Sequence, residues 1–160
     1  MEILYTLVTG ATGGLGGAFV KELARRSQPL YLTGRSAQKL EALREQLLHS
    51  HPALSVRTAV CDLADNSSRR ALFAEFEREK VRFCRLVYAA GADIQKPLEE
   101  YTEEKIAFQT RANFEGAVSL ARAVLERGEG VPELLFVGSV SGLYPMPYFA
   151  LYSAAKKALW

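Results

Sequence analysis

Cysteine is nearly absent from this chain, and so is any excess of charge. Cys61 and Cys84 stand alone, with no CxxC spacing and no histidine beside them. That pattern argues against a disulfide framework or a metal site and for buried thiols in a reducing, cytoplasmic compartment. His49 and His51 flank a polar turn before Pro52 and read as a solvated loop rather than a ligand pair. The formal net charge is only +2, with 20 basic and 18 acidic residues interspersed, so neither nucleic acid nor a membrane surface is an expected partner. No apolar run is long enough to span a bilayer, and no early run carries signal-peptide flanks. Internal repeats, low-complexity tracts and Pro/Gly/Ser linkers are missing too. What remains is ordinary globular composition, 49% apolar and 24% charged over 160 residues, enough for one domain with a real core.

Strand-like and helix-like segments alternate along it. Strands are expected at Ile3–Thr9, Pro29–Thr33, Ser55–Cys61, Arg85–Ala90 and Glu133–Gly138, several of them continuous apolar runs suited to a sheet covered on both faces. Between them, Leu15, Phe19 and Leu23 share one face of a first helix, and Leu40, Leu43 and Leu47 one face of a second, with Ser36 as its N-cap. Leu72, Phe73 and Phe76 mark a third helix after Asp65 and Ser67. A fourth is expected from Thr102 to Arg127, stopped by a left-handed Gly128, and a fifth from about Phe149. Such alternation predicts a doubly wound α/β domain with a parallel sheet, whose ligands bind beyond the carboxyl ends of the strands.

The motifs fall at those ends. Thr9-Gly10-Ala11-Thr12-Gly13-Gly14-Leu15-Gly16 follows the first strand and opens the first helix. Glycine permits positive φ and close backbone approach, and a helix N-terminus offers free N–H groups to a pyrophosphate. The second strand ends in Thr33-Gly34-Arg35-Ser36, a cation and a hydroxyl where NAD-preferring folds usually carry a carboxylate. Arg35 can hold a 2′-phosphate bidentately, which favours NADP(H) over NAD(H). Asp62, after the third strand, is a candidate acceptor for an adenine amino group.

Near the carboxyl end, Tyr152 and Lys156 lie one helical turn apart, with Ser139 thirteen residues before the tyrosine. A free tyrosine titrates near pH ~10, and a neighbouring ammonium favours its phenolate form. Ser139 can hydrogen-bond a carbonyl or alcohol oxygen. Asn113 is an odd residue for the middle of a helix, which suggests a functional reason such as holding a water. The segment Leu143-Tyr144-Pro145-Met146-Pro147-Tyr148-Phe149 is expected to line one wall of a substrate pocket.

Taken in this order, the motifs resemble the short-chain dehydrogenase/reductase family over the whole chain. Its TGxxxGxG motif matches Gly10 to Gly16, its Asp-Leu matches Asp62-Leu63, and its Asn, Ser, Tyr and Lys match Asn113, Ser139, Tyr152 and Lys156. Its Asn-Asn-Ala-Gly on the fourth strand corresponds to Tyr88-Ala89-Ala90-Gly91, a departure that changes how this strand meets the central helix. The resemblance implies a Rossmann-type sheet with strand order 3-2-1-4-5. It implies an NADP(H) site on Gly10, Thr12, Gly13, Gly14, Leu15, Gly16, Arg35, Ser36, Asp62, Leu63, Ala90, Gly91, Tyr152 and Lys156, and hydride exchange with a small carbonyl or alcohol. In that scheme Tyr152 moves the proton, Ser139 polarises the oxygen, Lys156 holds the ribose and Asn113 supports a water. Homo-oligomers are implied as well. The family continues well beyond its lysine, so residues 1–160 are expected to be one domain cut shortly after the helix carrying Tyr152 and Lys156 begins, with the fifth strand as an open apolar edge. A non-catalytic dinucleotide-binding module is the alternative.

Overall fold

The computed structural model describes residues 2–144 and 146–160. Strands β1 (Leu4–Thr9), β2 (Leu30–Gly34), β3 (Val56–Val60), β4 (Arg82–Tyr88) and β5 (Gly128–Phe136) form one parallel sheet in the order β3-β2-β1-β4-β5. Helices α1 (Gly14–Arg25), α2 (Ala37–Ser50), α3 (Asn66–Arg78), α4 (Glu103–Thr110), α5 (Gly116–Glu126) and α6 (Ala150–Ala158) connect and cover it. The expected Rossmann-type topology is the one observed.

Strand alternation divides the core in two. On one face Tyr5, Leu7, Tyr31, Phe83, Leu86 and Tyr88 pack with Leu72 and Phe76 of α3 and with Leu120 and Val124 of α5. On the other, Val8, Leu30, Leu32 and Val87 meet Val20 and Leu23 of α1 and Leu40 and Leu47 of α2. Phe76 is edge-on to both Tyr31 and Phe83, with centroids 5.1 and 4.9 Å away. Each fully buried side chain of this kind contributes roughly 1.5–3 kcal/mol. Three helix starts are capped by side chains: Ser36 Oγ accepts from Lys39 N at 3.3 Å, Asp65 Oδ1 from Ser67 N at 2.8 Å and Thr102 Oγ1 from Lys105 N at 3.4 Å.

Several boundaries differ from expectation, among them the start of β4, at Arg82 rather than Arg85. Strand β4 stops at Tyr88 rather than Ala90, because the Ala89 and Ala90 N–H groups both donate to the Thr9 hydroxyl, at 3.1 Å each. Strand β5 begins at Gly128, where Arg82 donates to the Arg127 and Gly128 carbonyls at 3.1 Å, and its pairing with β4 slips between Phe83 and Arg85. Gly128 is not a left-handed stop: positive φ among the glycines falls on Gly10 and Gly130. What Gly128 needs is space, since a Cβ there would lie 2.2 Å from Pro132 Cγ. The single helix expected over 102–127 is interrupted by a π-helical turn, Arg111–Glu115, between α4 and α5.

Among the described residues, strand β5 pairs with β4 alone and forms one edge of the sheet, β3 forming the other. Leu134 and Leu135, on opposite faces, are both exposed. No helix among the described residues is long and apolar enough to cross a membrane.

Candidate functional site

The site starts with the turn after β1. Gly10 adopts φ +62, and a Cβ on it would sit 3.0 Å from Ala90 Cα, so the bend after β1 lies directly on the end of β4. A Cβ on Gly16 would fall 2.1 Å from the Gly10 carbonyl oxygen, which no relaxation of a side chain relieves. Gly13 is the N-cap of α1, with its own N–H bonded to Gly10 O and its carbonyl taken by Gly17 N. The N–H groups of Gly14, Leu15 and Gly16 therefore have no partner within the helix. The turn is a backbone cradle that an anion would fill.

Beside it lies a cavity of about 340 Å³. It is lined by Gly10, Thr12, Gly13, Arg35, Asp62, Leu63, Ala90 and Gly91 among the sequence-predicted residues. Gly14, Leu15, Gly16 and Ser36 lie outside its lining: Gly16 packs under the turn, Leu15 is exposed, and Ser36 caps α2. Asp62 Oδ1 accepts from Ala64 N at 2.9 Å, so one carboxylate oxygen is engaged in its own turn. Thr33 also lines the cavity, and its buried Oγ1 has no hydrogen-bond partner among the described residues. Together with the glycine cradle, this chemistry suits a dinucleotide.

Sequence reasoning missed several contributors. Lys39, in the first turn of α2, brings a second cation to the Arg35 cavity; its position four residues after Arg35, just past the Ser36 cap, was the available signal. Cys61, whose thiol burial pushes upward in pKa, also lines the cavity, as do Phe108 and Ala112.

The second half of the site converges on Gly91. A Cβ there would meet Asn113 Oδ1 at 2.8 Å and Lys156 Nζ at 3.6 Å. This missing side chain is where the end of β4, the π turn and α6 come together. Asn113 is fully buried; its Nδ2 donates to Ala92 O at 2.7 Å and Gln109 O at 2.9 Å, and its Oδ1 accepts from Ala92 N at 3.3 Å. Lys156 is buried, and desolvation holds its pKa below the ordinary lysine value. Its ammonium donates to Val137 O at 2.8 Å and lies 5.6 Å from the Tyr152 ring centroid. Tyr152 is half-buried, edge-on to Phe149. Ser139 caps a short 3-10 turn, Val140–Gly142, sharing a 2.8 Å hydrogen bond with Ser141 Oγ. A Cβ on Gly142 would lie 3.1 Å from the Lys156 backbone, so this turn is seated on α6.

The structure thus joins Asn113, Lys156 and Gly91, of which only Gly91 lines the cavity; Asn113, Ser139, Tyr152 and Lys156 all lie outside its lining. The segment expected to wall a substrate pocket is not part of that lining either. Tyr144, Met146 and Tyr148 are exposed, and Pro145 falls outside the described residues.

A family model described as short chain dehydrogenase matches residues 5–160. A tropinone reductase homologue of Arabidopsis thaliana is 31% identical over 96% of this chain and 58% of its own length. A 3-ketodihydrosphingosine reductase of Bacteroides thetaiotaomicron is 30% identical over 99% of this chain and 55% of its own. Among solved structures, a short-chain dehydrogenase from Sphingobium yanoikuyae in complex with NADPH superposes with a TM-score of 0.88 at 28% identity, covering 98% of this chain and 61% of that one. An alcohol dehydrogenase from Thermococcus sibiricus complexed with 5-hydroxy-NADP gives 0.87 at 25%, covering 98% and 67%. The chain spans less than three fifths of the length of these two curated relatives.

Proposed function

This chain belongs to the short-chain dehydrogenase family, and from that premise we propose that it binds NADP(H) and exchanges hydride with a small carbonyl or alcohol substrate. The observation that carries the reading is the convergence of Asn113 and Lys156 on Gly91, next to the glycine turn at Ala90. The coenzyme, when bound, supplies or accepts the hydride. Gly10, Gly13 and the first N–H groups of α1 would hold its pyrophosphate, and Arg35 with Lys39 its 2′-phosphate, two cations where a carboxylate would select NAD(H). Asp62, Leu63 and Ala90 would flank the adenosine.

The remaining residues handle a proton. Tyr152 gives it to, or takes it from, the substrate oxygen, and Ser139 holds that oxygen by a hydrogen bond. Lys156, whose ammonium donates to the Val137 carbonyl, would hold the ribose hydroxyls, polar partners that its buried charge needs. Asn113 fixes Ala92 and so the wall on which the nicotinamide side rests. The free cysteines, Cys61 buried and Cys84 half-buried, suit a reducing cytosol, and the open β5 edge suits association of copies.

A second reading, a dinucleotide-binding module without turnover, draws on one observation: the cavity reaches Gly91 and Ala92 but not Ser139 or Tyr152. Tyr152→Phe separates the two. Under the enzymatic reading, NADPH affinity is unchanged while turnover over a carbonyl panel falls about 10²–10⁴-fold. A parent protein that binds NADPH yet turns over no carbonyl supports the module. Unaltered turnover in the variant removes Tyr152 from the chemistry.

A further inference from the structure

Tyr88 stands where the family's fourth-strand motif begins with asparagine, and its side chain is fully buried. Its hydroxyl donates to the Ala112 carbonyl at 2.7 Å. That carbonyl has a specific need. In an α-helix it would accept from the N–H of Gly116, but in the π turn this N–H goes to Arg111 O instead. Tyr88 supplies the donor that the altered pairing removes. Burial pushes its phenol pKa upward, so the group remains a hydroxyl donor.

The other end of the turn is held as well. Arg69, only 4% exposed, donates to Glu115 Oε1, to Asn66 Oδ1 and to the Leu63 carbonyl. Gly116 lets these parts meet: a Cβ there would lie 2.8 Å from the Tyr88 hydroxyl and 3.0 Å from Leu63 O. Asn113 sits between the two anchors, at Ala112 and Glu115. Reversion to α pairing would remove one residue from the turn and rotate one flank against the other by about 100°. Asn113 could not then keep both its Gln109 and its Ala92 bonds.

We propose that Tyr88 is a positioning residue: its hydroxyl, with Arg69 at the far end, holds residues 111–115 in the π register that aims Asn113 at Ala92 and Gly91. The functional weight of this rests on the coenzyme site proposed above; the conformational part does not.

The test combines amide exchange with NADPH titration on the full chain carrying Tyr88→Phe, Asn113→Ala, or both. In Tyr88→Phe the amides of residues 112–117 are expected to exchange roughly tenfold faster or more, with β1 unaffected, because a buried carbonyl loses its donor. NADPH affinity falls by about tenfold. In the double variant affinity is no lower than in Asn113→Ala alone, since Tyr88 acts through Asn113. Additive losses, as general destabilisation would give, overturn the proposal, as does unchanged exchange across the turn. Should Tyr88→Phe fail to fold, Gly116→Ala, whose Cβ crowds the same hydroxyl, takes its place under the same criteria. A parent chain that does not bind NADPH counts against the coenzyme reading, and the exchange measurement then judges Tyr88 by itself.

Discussion

The two halves of this sheet are built to different standards. Five of the six residues of β1 are buried, and β2 is buried up to its final glycine. Around them the Thr9 hydroxyl accepts from the Ala89 and Ala90 N–H groups, and side chains cap the starts of α2 and α3. Strand β5 shows the reverse. Of its nine residues only Pro132 is buried, and one edge is unpaired. The nine-residue α6, which brings Tyr152 and Lys156, rests on the short turn at Ser139–Gly142. The glycine-turn side is built on buried strands; the side that carries Lys156 is built on an exposed strand and a short helix.

Matched substitutions in the two halves test that contrast most strongly. Gly16→Ala sets a Cβ 2.1 Å from a backbone oxygen and should destabilise the fold by about 3 kcal/mol or more while abolishing coenzyme binding, measured by denaturant melts and NADPH titration. Leu135→Lys, on the exposed edge, should change stability by no more than about 0.5 kcal/mol. Equal costs would erase the distinction. Arg35→Asp probes the nucleotide side alone: NADPH affinity should fall about 10- to 100-fold, with NADH little affected. Equal NADH and NADPH affinity in the parent would sink the cofactor preference.

Lys156 gives the most specific effect. Its folded-state pKa is lowered by burial, so between that value and the ordinary one near ~10.4 the unfolded chain binds the extra proton. Stability of the parent relative to Lys156→Met should therefore rise with pH through that window, with a limiting slope of about 1.4 kcal/mol per pH unit, and flatten above it. A flat difference from pH 7 to 10.5 would mean the ammonium is solvated.

The well-built half was also the legible one. Apolar runs and amphipathic spacing marked β1 to β3 and α1 to α3, because there local pattern and tertiary burial agree. The glycine turn was marked by its spacing, whereas the strand order β3-β2-β1-β4-β5 was legible only through the family resemblance. The π turn at 111–115 was hidden, since its cause lies at Tyr88 and Arg69, 24 and 46 residues away along the chain. Asn113 looked misplaced in a helix because the helix is interrupted there. The early start of β5 was equally invisible: Gly128-Glu129-Gly130 has no strand character, and Arg82 recruits it from across the sheet. Lys39, which lines the same cavity as Arg35, was not singled out.

Gly91 carries a consequence for variation. By accessible area it is exposed, the class in which substitutions are usually tolerated. Yet the space a methyl group would take is already claimed from two directions, by an amide oxygen and an ammonium. A saturation survey scored by solvent accessibility would rank this codon permissive, and a survey scored by survival of function should rank it among the least forgiving.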